Sequence, residues 1–272
     1  MENPMANITK LMAVSTLAVS SLLGCASTTD TGALGVKRNQ LLLVSNEQIM
    51  QLSAKKYYQM LQQARAKGIL DTNKKQVARL EAIAKRLIGQ VGVYRPSAVN
   101  WNWEVHTIKS KQMNAFVMPG GKVMFYSGII DRLDLTDDEI AAIMGHEMAH
   151  ALREHSRERI SGAYATQLGL GALVSGLGLS SGQAQLAGVI GDIGIQRPHS
   201  RVQESEADVM GLELMARAGY NPEAAITLWQ KMQKAGGGSV PQFLSTHPSD
   251  VNRINKLESL IPKVMPFYRR TL

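Results

Sequence analysis

The 272-residue sequence is poor in several residue types, and each scarcity removes a class of protein. Cys25 is the only cysteine, so no disulfide can close within the chain and no thiolate cluster can hold a metal. Only four phenylalanines are present, and the lysines and arginines are scattered. With so few rings to stack on bases, nucleic acid is not an expected partner despite a formal charge of +8. Long apolar runs are missing too. The stretches 163–179 and 183–195 both fall short of the roughly 20 solidly apolar residues of a membrane helix. No internal repeat is visible. What remains is length enough for one domain with a sizeable core, its positive charge mostly solvated and otherwise suited to anionic membrane surfaces or acidic substrate segments.

The N-terminus reads as a targeting signal over 1–24. Lys10 precedes a run over 11–23 that is apolar apart from Ser and Thr, too short to span a bilayer, ending Leu22-Leu23-Gly24-Cys25. Glu2 is unusual before such a run, which makes Met5 a second candidate for the start. The position of Cys25 resembles a bacterial lipobox, in which the cysteine becomes the lipidated N-terminus. Lipoprotein sorting then implies, from Ala26 in place of Asp, a chain tethered to the outer membrane and facing the periplasm. Residues 25–44 hold Ser, Thr, Gly and Asp without periodicity and read as a flexible linker to a domain over 45–272.

The most informative stretch is 135–152, with His146, Glu147, Met148, Ala149 and His150 spelling H-E-x-x-H. Thr136 and Glu139 predict a capping box, and Asp137 and Asp138 suit the positive end of the helix dipole. Ile140, Ile143, Met144, Met148 and Leu152 recur at helical spacing, which predicts an amphipathic helix crossing a core. Residues four apart lie one above the other on a helix, so both imidazoles can share one Zn2+. Glu147, one residue from a ligand, is placed to take a proton from water that the metal acidifies to a pKa of roughly 7.

A third ligand is sought downstream, where Ser200 opens another helical pattern. Glu204 and Asp208 share a face. Glu204 there is a metal ligand or a solvent-facing charge, with Asp208 behind it orienting a histidine or serving a late proton transfer. Glu206 points elsewhere and reads as solvated. Upstream, Ser45 and Gln48 cap a helix ending near Gly68, and a second helix is predicted over 74–91 with Lys85 and Arg86 on its solvated side. A half-buried strand is expected over 99–108, with His106 on its surface, followed by a hairpin of 115–118 and 122–126 around Pro119-Gly120-Gly121. Between His150 and Glu204 the glycine-rich 162–195 suggests an α-helical hairpin packed on the motif helix. Asn221 and Pro222 open a helix ending at Gly236, a loop over 237–249 follows, and a last helix runs over 253–260.

The helix-borne H-E-x-x-H, the run Asn114-Ala115-Phe116-Val117-Met118-Pro119-Gly120-Gly121 before it, and S-R-x-x-E-x-x-A-D from Ser200 to Asp208 after it together resemble the M48 family of zinc metallopeptidases. The resemblance covers about 74–253 and is greatest to the lipid-anchored periplasmic branch, the LoiP- and BepA-type proteases. It implies an α+β, mostly helical, zincin-like fold with an active-site helix and a small β-sheet whose edge strand binds substrate. It implies one Zn2+ held by His146, His150 and Glu204, with Glu147 as catalytic base and Asp208 as supporting acid. Asn114, Ala115, Phe116, Val117 and Met118 then form the substrate-binding strand, the alternative being an ordinary core hairpin.

The same resemblance makes His247, in Ser245-Thr246-His247-Pro248, a candidate regulatory fourth ligand. An exposed histidine before a proline, or a donor to a developing oxyanion, are the other readings. Expected substrates are misfolded or damaged envelope proteins. The alternative is a chaperone or assembly factor at outer-membrane machinery whose protease is normally latent.

Overall fold

Thr136 begins the helix on which the rest of the molecule packs. Its hydroxyl accepts from the Glu139 N–H at 3.3 Å and the Glu139 carboxylate accepts from the Thr136 N–H at 2.9 Å, so the expected capping box forms. The computed structural model describes residues 25–176, 198–235, 242–248 and 252–271. Short strands β1 (Cys25–Ala26) and β2 (Gln40–Leu41) precede helices α1 (Asn46–Ala66) and α2 (Lys74–Ile88). Strands β3 (Glu104–Ile108), β4 (Ala115–Met118) and β5 (Lys122–Tyr126) lead into α3 (Ser127–Leu133) and the motif helix α4 (Asp137–Leu152). Then come α5 (His155–Gly176), α6 (Arg201–Arg217), α7 (Ala224–Ala235), α8 (Gln242–Thr246) and α9 (Arg253–Thr271).

The structure is α+β and mostly helical, as expected, but α4 is not amphipathic in its surroundings. Every residue from Glu139 to Leu152 is buried, because α6, β4, α7 and α2 pack around it. The polar side that the periodicity would give to solvent carries the site's own histidines, which find polar partners inside, and Glu147. The closest helix crossing is with α6, where a Cβ on Gly211 would stand 2.7 Å from the His146 backbone nitrogen and one on Gly145 would stand 3.0 Å from the Gly211 carbonyl oxygen. Two glycines therefore let the backbones approach at the metal-binding turn.

The sheet has the order β3-β5-β4, with β3 parallel and β4 antiparallel to β5, which leaves β4 an edge among the described residues. Gly120 and Gly121 turn the hairpin at φ of +84° and +82°, a conformation that suits only glycine. The strand expected over 99–108 is shorter, beginning at Glu104. A 3-10 turn occupies Pro96–Asn100, and the Trp103 indole N–H donates back to the Ala98 carbonyl at 2.9 Å, curling the chain away from the ladder. His106 lies on β3 with Nδ1 2.6 Å from the Asp71 carboxylate, outside the metal-binding group described below.

Other boundaries move for local reasons. Helix α2 stops at Ile88 with Gly89 as its cap, and Val91 starts a separate 3-10 turn. Asn221 accepts from the Glu223 N–H within a turn, so α7 opens at Ala224. Helix α9 runs past Leu260 to Thr271, burying Leu257 and Val264. Arg86 is not simply solvated, since its guanidinium bonds the carbonyls of Ala218 and Gly219 and lies over the Tyr220 ring at 4.0 Å.

The largest correction concerns 25–44. Val36 enters the core, Gln40 is fully buried, the amides of Ala33 and Leu34 donate to the Glu213 carboxylate, and Arg38 forms a fork on Glu206. A composition that suits a linker here makes a fastened strap, because its polar groups meet buried charges of α6. The signal over 1–24, residues 177–197 with the expected second arm at 183–195, and residues 236–241 and 249–251, which include both ends of the expected loop over 237–249, lie outside the described residues. The part of the first arm that is described belongs to α5, and no helix among the described residues is long and apolar enough to cross a membrane.

Candidate metal centre

Helix α4 presents His146 and His150 from one face, and α6 crosses it so that Glu204 and Asp208 meet them. Ser200 fixes the start of α6, accepting from the Gln203 N–H while the Gln203 side chain accepts from the Ser200 N–H. The Nε2 atoms of His146 and His150 are 3.1 Å apart, and the Glu204 carboxylate lies 3.4 Å from the first and 3.2 Å from the second. Asp208 stands behind, 3.0 Å from His146 Nδ1, within reach to orient that ring or to serve a late proton transfer.

His247 joins them. Its N–H donates to the Phe243 carbonyl at 2.9 Å and its ring stacks on Phe243 with centroids 4.6 Å apart, so short helix α8 sets both ends of the side chain. Nδ1 lies 3.3 Å from His146 Nε2 and 3.0 Å from Glu204 Oε1. An exposed histidine is excluded, since this one is buried.

These donors fit a divalent metal. Atoms about 2.0–2.1 Å from a tetrahedral centre stand about 3.3–3.4 Å from one another. The five separations among His146, His150, Glu204 and His247 just given, 3.0 to 3.4 Å with Glu204 meeting His146 through Oε2 and the other two rings through Oε1, approach the edges of such a figure. In the unprotonated forms that ligate, the two imidazole nitrogens and the carboxylate repel one another unless a cation stands between them. Beside them the buried Glu147 Oε1 has no hydrogen-bond partner, and although His247 Nε2 is 3.2 Å away it is not aligned to donate. That oxygen is free to accept from water.

The electrostatics of these side chains follow from the same contacts. Burial opposes the shift, but the hydrogen bonds from Asp208 and Glu204 carry the His146 imidazole up to about 9. Burial holds His150 well below its ordinary value, which favours the neutral ring a ligand needs. Burial also raises Glu147, towards the range useful for taking and giving a proton. Glu204 is held far below the usual carboxylate range: burial works against ionisation, and the charge of His247 with the bonds from His146 and His150 overcomes it.

Several partners were not legible beforehand. Arg253, at the start of α9, donates to Asp208 at 2.6 Å and to Glu204 at 3.1 Å while its guanidinium lies 3.6 Å over the Trp229 ring. No local pattern marks it, because it is 45 residues from Asp208. Glu206 is buried rather than solvated, bonded to Arg38, Arg153 and His155. A cleft of about 510 Å3 opens onto this centre, with Leu52, Lys55 and Lys56 of α1 on one wall, the edge strand from Asn114 to Met118 on the other, and Glu147 and His247 in its lining.

The family profile described as Peptidase family M48 matches residues 74–261, more than half of the sequence. The chain belongs to peptidase family M48. Similar proteins include mitochondrial metalloendopeptidase OMA1 of Schizosaccharomyces pombe, 38% identical over 183 residues that cover 66% of this chain and 52% of that protein. Metalloprotease LoiP of Escherichia coli is 30% identical over 236 residues, 85% of this chain and 88% of LoiP. Human OMA1 is 29% identical over 240 residues, 84% of this chain and 45% of that protein. The chain thus spans about half the length of the OMA1 proteins it matches and most of LoiP.

Proposed function

We propose that this M48 chain is a zinc endopeptidase cleaving extended protein segments. The observation that carries the reading is the close group of donors from His146, His150 and Glu204 beside the unpartnered Glu147 oxygen. Bound Zn2+ supplies a Lewis acid that polarises the scissile carbonyl and acidifies water. Glu147 takes the proton from the attacking water and delivers it to the leaving amine. Asp208 holds His146 in the ligand tautomer. Substrate pairs with β4, an edge among the described residues, from Asn114 through Ala115, Phe116 and Val117 to Met118, so that backbone hydrogen bonds give affinity with little demand on side chains.

His247 is the regulatory residue in this reading. With Nδ1 at the fourth corner it excludes water, and activity requires the loop after α8 to withdraw. This favours a second reading, a chaperone or assembly factor for outer-membrane proteins whose protease is normally latent. The setting in both is the bacterial envelope: Cys25 lipidated and anchored in the outer membrane, the domain facing the periplasm, and unfolded or damaged envelope proteins as substrates. Degradation of an unfolded test protein by the purified soluble domain, with zinc and then with chelator, tests the enzymatic reading. Absence of zinc-dependent cleavage, together with a Glu147→Gln variant that restores envelope integrity in a deletion strain, would favour the second.

A further inference from the structure

His150 differs from His146 in what holds its other nitrogen. His146 Nδ1 meets a carboxylate directly, whereas His150 Nδ1 lies 2.8 Å from Nδ1 of His155, a fully buried ring. Nε2 of His155 is in turn 3.0 Å from Glu206 Oε2. The Glu206 carboxylate is gripped by Arg38, with Nε 3.0 Å from Oε1 and Nη2 2.9 Å from Oε2, and by Arg153 Nη2 at 3.2 Å. Arg38 belongs to the strap over 25–44.

The proton positions along this row follow from what each group can do. An ionised carboxylate only accepts, so His155 Nε2 carries a proton. In the tautomer with its one proton on Nε2, facing that carboxylate, Nδ1 of His155 is bare and can only accept. The proton between the two rings therefore sits on His150 Nδ1, which leaves His150 Nε2 bare on the side of Glu204 and His146. The opposite order would set the bare Nε2 of His155 against the carboxylate and put a proton on the very atom that must bind metal.

The geometry assigns His155 and Glu206, fastened by Arg38, as positioning residues that lock His150 in the metal-binding tautomer. The relay lengthens the usual carboxylate-to-histidine support by one imidazole and ties the N-terminal strap to the metal centre. This rests on the metal-site reading given above.

Two measurements test it. In metal-free wild type, nitrogen-15 correlation spectra of the imidazoles should show His150 protonated at Nδ1 and His155 at Nε2; the Nε2–H form of His150 would overturn the assignment whatever the variants do. Zinc affinity by chelator competition should fall about 10- to 100-fold in His155→Ala and in Glu206→Gln. His155→Gln should recover most of it, because an amide can accept from one neighbour and donate to the other. Melting of the metal-free proteins reports folding separately from affinity. Zinc affinity within twofold of wild type in folded His155→Ala and Glu206→Gln overturns the relay alone. A wild type that binds no zinc overturns the metal-site reading and this one with it. Should His155→Ala not fold, the tautomers and Glu206→Gln decide.

Discussion

Glu147 and His247 are neighbours in the site with opposite consequences when changed. Glu147→Gln keeps the shape and removes the base. Hydrolysis should fall about 10²- to 10⁴-fold while zinc content stays at the wild-type level, as read by metal analysis beside a cleavage assay. Residual full activity would remove Glu147 from its role. His247→Ala separates three outcomes in one assay of basal proteolysis: a rise if the ring closes the site, a fall if it donates to the developing oxyanion, and no change if it does neither. The rise, severalfold or more, is expected from the 3.0 Å approach of Nδ1 to Glu204. Legibility at this scale follows sequence distance. His146, Glu147 and His150 could be read because helical spacing alone puts them together. Glu204 and Asp208 were legible as a pair sharing a face. Arg253 and His155 were not, since their partners come from other helices. Glu206 was misread because nothing local tells that Arg38, 168 residues away, will cover it.

Between the helices, the decisive contact is made by residues without side chains. Gly145 and Gly211 bring α4 and α6 together at the turn that carries His146, and a methyl on Gly211 would overlap the His146 backbone, which a helix cannot yield locally. Gly211→Ala should therefore push α6 outward, destabilise the domain by about 1–3 kcal/mol in urea unfolding, and weaken zinc binding because Glu204 moves with its helix. Wild-type stability and affinity would contradict the crossing. Capped elements were the readable ones: Thr136 with Glu139 and Ser200 with Gln203 announce α4 and α6 by chemistry internal to each end. The hairpin was readable for the same reason, its glycines being required by the turn. The strand before it was overextended because alternating Val99, Trp101 and Trp103 look like a strand until the Trp103 indole is seen to bond Ala98. Amphipathicity misled in α4, where the polar face belongs to the interior.

Taken whole, the molecule is closed by groups from its two ends. The strap over 25–44 reaches the shell around His150, and α9 brings Arg253 beneath Glu204 and Asp208. The lipid tether proposed for Cys25, whose thiol is exposed at the start of that strap, predicts that Cys25→Ser moves the protein from the membrane fraction to the soluble one without changing cleavage by the purified domain. A wild type that incorporates no lipid label would falsify the tether. A metal bound at these donors would draw together α4, α6 and the segment after α8, relieving the repulsion among their converging lone pairs. An ion that binds the folded chain and not the unfolded one adds RT ln(1 + [L]/Kd), about 2.7 kcal/mol at a free concentration 100 times Kd. For a domain of this size each kcal/mol is worth roughly 2–4 °C in Tm, so chelation should lower Tm by about 5–10 °C and added zinc should restore it. The control is Glu204→Ala, which lacks a ligand and should melt at nearly one temperature with and without zinc. Equal Tm values for wild type in zinc and in chelator would mean that these four side chains do not hold a metal, however well their spacing suits one.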